Sequence, residues 1–348
     1  MPMDKMQASQ QEVFQAYRPL LFSIAYRMLG SVMEAEDCVQ EAFLQWYETL
    51  ANRPASAIEN PKAYLCTLVT RRCIDRLRSA RVQREAYVGL WLPEPLVTTD
   101  LDELSELSES LSIAFLLLLE RLSPLERAVF VLRQVFDYDY AEIAECVGKS
   151  EEYCRQVMHR ARRHLTFPRS PSRISQEEQQ EIFQQFLRAC QEGDIDGLVR
   201  VLSKEVVLHA DSGGRVSAAR NPIVGAERVA RYLLGVQRKF LSLLDVTILP
   251  MPINGQPGLV GYLSTGEILH DLLASLEEQR REGAGKGGTR ETTRQKLEFY
   301  RRSIETGEPL FALALTFGEK EIQEIDIIVN PDKLRHIPAP WPLFRRRE

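Results

Sequence analysis

The chain has 348 residues, with 44 Lys and Arg against 49 Asp and Glu and a formal net charge of −5. A composition 44% hydrophobic and 27% charged excludes general disorder and predicts two or three folded domains. No apolar run approaches the ~20 residues that cross a bilayer, and the mildly acidic whole confines any nucleic-acid function to local basic stripes.

Met1–Glu12 is polar and lacks the apolar stretch of a secretion signal. The six cysteines are scattered without a CxxC pair, so reduced thiols in a cytoplasmic protein are expected, without a disulfide frame or zinc site. Residues 12–88 predict an all-helical module. Leu20, Leu21, Ile24, Ala25 and Met28 recur at helical spacing until Gly30-Ser31 ends the pattern. Ala35, Val39, Ala42, Phe43 and Trp46 form the apolar stripe of a second helix, whose other face carries Glu36, Asp37, Gln40 and Glu41. Asn60-Pro61 starts a third helix with Leu65, Leu68, Val69, Cys73 and Leu77 inward. Between Thr70 and Arg84 that helix carries Arg71, Arg72, Arg76, Arg78, Arg81 and Arg84, with Asp75 the only acid. Cations so crowded repel one another unless an anion meets them. A nucleic-acid backbone is such an anion; a solvated basic surface is the plain alternative.

Trp91–Leu119 carries Glu94, Asp100, Asp102, Glu103, Glu106 and Glu109 and no Lys or Arg, and Pro93 and Pro95 open it. It predicts a linker leading into a helix. Residues 111–165 are helical again, with a helix start at Ser123-Pro124. Gly148 then turns the chain between Tyr140–Val147 and Ser150–Leu165, which is helix-turn-helix spacing. Cys154, Val157, Ala161 and Leu165 face inward; Gln156, His159, Arg160 and Arg163 lie on another face, beside Arg155 and Arg162. Ser150, Glu151, Glu152, Tyr153, Arg155 and Gln156 would approach base edges, because a recognition helix reads with its N-terminal part.

Beyond Pro168–Ser172 the pattern becomes mixed. Ile182, Phe183, Phe186, Leu187 and Cys190 mark a helix and Gly225–Val236 another. Val206–Ala210, Asp245–Leu249, Leu259–Leu263, Leu310–Phe317 and Ile322–Val329 alternate as strands. An α+β domain follows from helices early and strands late. Glu277–Lys296, charged and Gly-rich, predicts a solvated insertion.

Three N-terminal motifs resemble region 2 of bacterial sigma factors of the extracytoplasmic-function class: Ala25-Tyr26-Arg27-Met28-Leu29-Gly30-Ser31, Ala35-Glu36-Asp37-Cys38-Val39-Gln40-Glu41 and Asn60-Pro61-Lys62-Ala63-Tyr64-Leu65. Leu122-Ser123-Pro124-Leu125-Glu126-Arg127 and the helix-turn-helix resemble region 4. Tyr87–Pro95 is similar to the linker of a subgroup that adds a SnoaL-like domain. That subgroup's Gly-rich and NPDKL motifs are matched by Asp211-Ser212-Gly213-Gly214-Arg215 and Asn330-Pro331-Asp332-Lys333-Leu334. Ser212 and Arg215 depart from the Gly and Lys of the first motif, although Arg keeps the charge.

The resemblance implies two all-α modules followed by an α+β SnoaL-like cone domain: region 2 at 1–90, an acidic linker at 91–110, region 4 at 111–168, the cone at 175–335 and a tail at 336–348. The tether lets the helical modules separate or collapse together. Glu36, Asp37, Gln40 and Glu41 would meet core RNA polymerase, whose β′ clamp helices and β flap are the implied partners. Asn60, Tyr64, Arg71, Arg72, Arg76 and Arg78 would serve the promoter −10 element, where strand opening needs cations for phosphates and aromatic surfaces for unstacked bases. Ser150, Tyr153, Arg155, Gln156, His159, Arg160 and Arg163 would serve the −35 element.

Asp211, Gly213, Gly214, Arg215 and Asn330 to Leu334 (Asn330, Pro331, Asp332, Lys333, Leu334) would make a regulatory contact within the chain. No catalytic group, metal or cofactor is expected, and the cone holds an unspecified small ligand or none. Two rivals remain. A one-component helix-turn-helix regulator would bind operators without polymerase. An enzyme of cyclase or isomerase type would need a placed acid and base in a deep polar pocket, and among His209, Asp211, Asp245, His270 and Asp326 no spacing singles out a pair. The tail, with Trp341, Phe344 and Arg345-Arg346-Arg347, is expected to pack on acidic surface of the helical part.

Overall fold

The computed structural model describes residues 2–52, 58, 60–85, 87–97, 111–165, 174–241, 244, 246–263, 298–303 and 305–338. The acids Asp100–Glu109, Asp245, His270, the insertion at 277–296 and the tail arginines lie outside the described residues. Two compact units form: Met1–Ala86 with Ala114–Phe167, and Tyr87–Ile113 with Pro168–Glu348.

Among its described residues the regular elements of the first unit are all helices: α1 (Pro2–Leu29), α2 (Val32–Asn52), α3 (Pro61–Glu85), α4 (Ile113–Leu119), α5 (Pro124–Gln134), α6 (Tyr140–Val147) and α7 (Glu151–His164). Gly30, at φ 67°, reverses the chain after α1, a conformation that suits a residue without Cβ. Leu21, Ile24, Ala25 and Met28 of α1 are fully buried, with Ala35, Val39 and Ala42 of α2. On α3, Leu65, Val69, Cys73 and Leu77 are buried as the spacing predicts. Leu68 is half-buried instead, and Cys66 and Ile74 complete the stripe. Capping boxes start α5 (Ser123 with Glu126) and α6 (Asp139 with Glu142).

The second unit is α+β: α8 (Gln176–Glu192), α9 (Ile195–Val201), β1 (Leu202–Asp211), β2 (Ile223–Val224), α10 (Ala226–Val236), β3 (Val246–Ile253), β4 (Gln256–Leu263), β5 (Phe311–Phe317) and β6 (Ile322–Ile328). The sheet order is β2-β1-β6-β5-β4-β3; β1 and β6 are parallel and the other neighbours antiparallel. One face, with Val206, Leu208, Ala210, Leu313, Leu315 and Ile325, packs on Phe183, Phe186, Val229 and Leu234 of the helices. Alternation along the strands turns His209, Asp211, Glu324 and Asp326 to the other face. That pairing with an early strand returning beside the last one could not be read from local pattern, nor could the short α9 and β2.

Candidate nucleic-acid interface and linker latch

In the helix-turn-helix, Gly148 at φ 66° closes α6, and Ser150 caps α7 by accepting the Tyr153 N–H at 3.2 Å. Cys154, Val157, Met158, Ala161 and Leu165 are buried. Tyr153, Arg155, Gln156, His159, Arg160 and Arg163 are all exposed, as their spacing predicts. Arg155 pairs with Glu151 at 2.7 Å and lies 5.0 Å from the Tyr140 ring centre. Arg160 stands 5.6 Å from the Tyr153 ring. Such stacking orders the long side chains without removing their charge.

The anion expected to meet the arginine run of α3 is in part supplied by the protein itself. Arg72 meets Glu41 at 2.8 Å and donates to Gln45, and Arg76 meets Glu41 at 2.9 Å and Asp37 at 3.5 Å. Arg78 pairs with Asp75 at 2.9 Å. Acids on α2 thus neutralise arginines on α3, because the two helices cross with these faces side by side. Both sets stay partly exposed, Arg72 at 30%, Arg76 at 27% and Asp37 at 63% of their side chains. Glu36 pairs with Arg18 at 2.7 Å and Gln40 is exposed. Met33 and Leu44, 47% and 62% exposed, lie on that outer surface of α2 and were missed from the sequence; their i, i+11 spacing through Asp37 and Gln40 carries the signal. Asn60 caps α3, accepting the Ala63 N–H at 3.1 Å, and the Tyr64 hydroxyl lies 3.1 Å from Thr49 Oγ1.

Arg71 joins the two helical modules. Its guanidinium donates at 3.0 Å to the carbonyls of Cys146 and of Glu145, at the C-terminal end of α6, where a helix favours cations. Buried Arg127 donates to the Met28 carbonyl at 2.7 Å and pairs with Glu120 at 2.8 Å. Cys66 Sγ lies 3.2 Å from the Tyr138 hydroxyl. Of the two arrangements a tether allows, the structure holds the collapsed one.

In the second unit, Tyr87–Val97 lies on the sheet domain as a latch. Asp211 is fully buried. Its Oδ1 accepts the Tyr87 hydroxyl at 2.6 Å and the Gly213 N–H at 3.0 Å; its Oδ2 accepts the Leu92 N–H at 2.8 Å and Lys333 Nζ at 2.7 Å. Asn330 Nδ2 donates to the Tyr87 oxygen at 2.7 Å. Burial and the Asp211 charge push the Tyr87 phenol far above its ordinary value, which keeps it a donor. Lys333 also donates to the Leu92 carbonyl and stands 4.3 Å from the Trp91 ring and 5.0 Å from the Tyr87 ring. A Cβ on Gly213 would lie 2.5 Å from Asn330 Nδ2 and 3.0 Å from the Tyr87 hydroxyl, and one on Gly214 3.1 Å from Val88, so these glycines admit the linker and its Asn330 partner. Pro331 opens the short 3₁₀ turn that Asn330 caps, and Leu334 behind it is buried. Arg215 and Arg335 both reach Asp332, the former at 3.3 Å.

A second grip was missed from the sequence. Asn254 and Gly255 turn the β3–β4 hairpin, both at positive φ, and the Asn-Gly pair is a readable hairpin signal. Asn254 exchanges bonds with Leu96 in both directions, at 2.9 and 2.8 Å, and its Nδ2 donates to the Leu111 carbonyl at 2.7 Å. One side chain therefore holds both ends of the acidic segment 98–110. His336 adds a bond to the Pro95 carbonyl at 2.8 Å.

A cavity of about 760 Å³ opens on the helix-covered side of the sheet, lined chiefly by apolar side chains such as Phe186, Leu233, Leu259, Phe311 and Ile327, with Tyr232 and Tyr300. His209, Asp211 and Asp326 do not line it. The structure instead brings His209 to Asp326 and Glu324 on the outer face. Burial works against His209 protonation, yet both carboxylates outweigh it and raise the imidazole to about 10. Burial raises Asp326.

Residues 13–82 match the family model of Sigma-70 region 2, and residues 112–165 that of Sigma-70, region 4. The chain is 38% identical over 266 residues to the ECF RNA polymerase sigma factor SigJ of Mycobacterium tuberculosis, covering 72% of this chain and 82% of that protein. It is 31% identical over 256 residues to the probable ECF RNA polymerase sigma factor SigI of the same species, covering 72% and 83%. The crystal structure of the Mycobacterium tuberculosis extracytoplasmic function sigma factor SigJ superposes with a TM-score of 0.65 at 29% identity, covering 94% of this chain and 99% of that one. The chain belongs to the extracytoplasmic-function family of RNA polymerase sigma factors. Its activity is that of a sigma factor, which decides against a one-component regulator. Among the described residues no helix is long and apolar enough to cross a membrane.

Proposed function

We propose that this sigma factor docks on core RNA polymerase through the outer surface of α2, engages the −10 element with α3 and the −35 element with α7, and is restrained by the grip of its own sheet domain on the tether. Asp37, Gln40 and Glu41 between exposed Met33 and Leu44 offer the polar and apolar mixture of a protein interface. The arginines of α3 exchange Glu41 and Asp37 for phosphates when the promoter is bound.

The carrying observation is that Asn254 bonds both Leu96 and Leu111. The −35 and −10 elements stand about 25 base pairs, or ~85 Å, apart on a duplex, and helical modules packed as one body do not span that. Residues 86–113 extend to ~95 Å when free, whereas the staple removes 98–110 from the path and leaves ~50 Å. The buried Asp211–Lys333 ion pair holds the upstream end of the same segment. Releasing the linker lengthens the tether and lets the modules part. No chemical step is assigned to the sheet domain.

The test is reconstituted transcription with core RNA polymerase and promoter DNA. Asn254→Ala should initiate several-fold more strongly than the natural chain. Equal initiation by both would remove the restraint, and failure of both to bind core polymerase would remove the assignment of these surfaces.

A further inference from the structure

We propose that His209, Glu324 and Asp326 form a binding site for one divalent transition-metal ion on the outer face of the sheet. The parallel register of β1 and β6 sets His209 opposite Asp326, and Glu324, two residues earlier on β6, shares that face. His209 Nδ1 lies 2.8 Å from Glu324 Oε1 and 3.0 Å from Asp326 Oδ1. The three donor atoms fall within 4.8 Å of one another. Ligand atoms bound at ~2.1 Å and at right angles around one ion stand ~3 Å apart, so these side chains already have the spacing of a coordination sphere.

Hydrogen bonding alone serves the cluster poorly. One imidazole nitrogen offers at most one hydrogen to two carboxylates. A second, independent observation points the same way: Asp326 is fully buried, and its Oδ2 has no hydrogen-bond partner, a condition that costs free energy unless something meets the oxygen. An ion between the carboxylates meets both. The side chains of His209 and Glu324 are 17% and 22% exposed, which leaves a path from solvent. Imidazole with two carboxylates is a donor set for Zn²⁺, Mn²⁺ or Fe²⁺, whereas Mg²⁺ and Ca²⁺ prefer oxygen alone. The ion would tie β1 to β6 two residues from Asp211.

The experiment uses the full-length protein, stripped with chelator and titrated with Zn²⁺ by equilibrium dialysis, with Co²⁺ as a spectroscopic stand-in. One equivalent should bind at micromolar free Zn²⁺, with Mg²⁺ failing to compete, and should raise the melting midpoint by ~2–4 °C. Glu324→Gln, at a partly exposed position that spares the fold, should weaken binding at least tenfold, and His209→Ala should abolish it together with the Co²⁺ d–d bands. Three results would overturn the site: no uptake at ~100 μM Zn²⁺, equal uptake by both variants and the natural chain, or intense thiolate-to-Co²⁺ charge-transfer bands placing the ion on cysteine. The first would mean that the cluster shares protons and nothing else.

Discussion

Asp211 shows how a single buried charge can fasten a linker to a sheet. Four donors from three separate segments converge on it, among them Lys333, itself almost fully buried. Removing one partner of a buried ion pair leaves the other uncompensated, at a cost of about 3–5 kcal/mol. Lys333→Met should therefore free the linker while the sheet stays folded. Amide hydrogen exchange at Leu92 and Leu96 should then quicken by ~100-fold or more, and unchanged protection would show that the latch does not depend on the ion pair. Glu126 illustrates a cap of ordinary size. Burial alone would raise its carboxyl, but the Ser123 N–H and hydroxyl and His164 outweigh this and hold it below its ordinary value. A depressed folded value means stability that is present above the unfolded pKa near ~4.3 and lost as pH falls. Glu126→Gln should cost about 1 kcal/mol in urea melts at pH 7, and the gap between variant and natural chain should shrink at pH 4.

Among the helices of the first unit, α7 is legible from sequence down to its exposed face, whereas α3 is legible only in its position and buried stripe. The exposed basic face of α7 follows from 3.6-residue periodicity, whose buried members are Cys154, Val157, Met158 and Ala161. Arg160→Ala should weaken binding to duplex DNA and reduce its salt slope by about 1; an unchanged slope would take Arg160 off the phosphates. On α3 the arginine positions were read correctly, but their partners were not, because Glu41 and Asp37 approach only when α2 and α3 cross. These pairs are partly exposed and contribute ~0–1 kcal/mol each, so exchange for a phosphate is nearly free. Glu36→Ala with Asp37→Ala should weaken core polymerase binding in a pull-down and leave duplex affinity intact.

For the whole molecule, the proposed restraint is one of length. The collapsed first unit is held by Arg71 on the carbonyls of Glu145 and Cys146 and by Arg127 on that of Met28; under the proposal the stapled tether limits how far its halves move apart. Dyes on α2 and α7 should report one short distance in the natural chain, and Asn254→Ala should broaden the distribution toward longer ones. A distribution unchanged by Asn254→Ala would mean that module packing alone, without the tether, sets the closed state.

The sequence by itself determined the helical modules, the helix-turn-helix, the helix starts at Asn60-Pro61 and Ser123-Pro124, the later strands and the motifs that the structure brings together in the latch. All of these rest on interactions within a few residues or on a long ordered resemblance. Only the tertiary structure decided which arginine meets which acid, that Asn254 gathers Leu96 and Leu111, and that His209 stands beside Asp326. The seven-residue α9 and two-residue β2 fall below the length at which periodicity is measurable. The physical reason is common to all of these. Capping and amphipathic periodicity are local energies, whereas partners on separate elements, from 31 positions apart for Arg72 and Glu41 to 143 for Leu111 and Asn254, are chosen by how strands register and helices cross, and no local pattern encodes that choice.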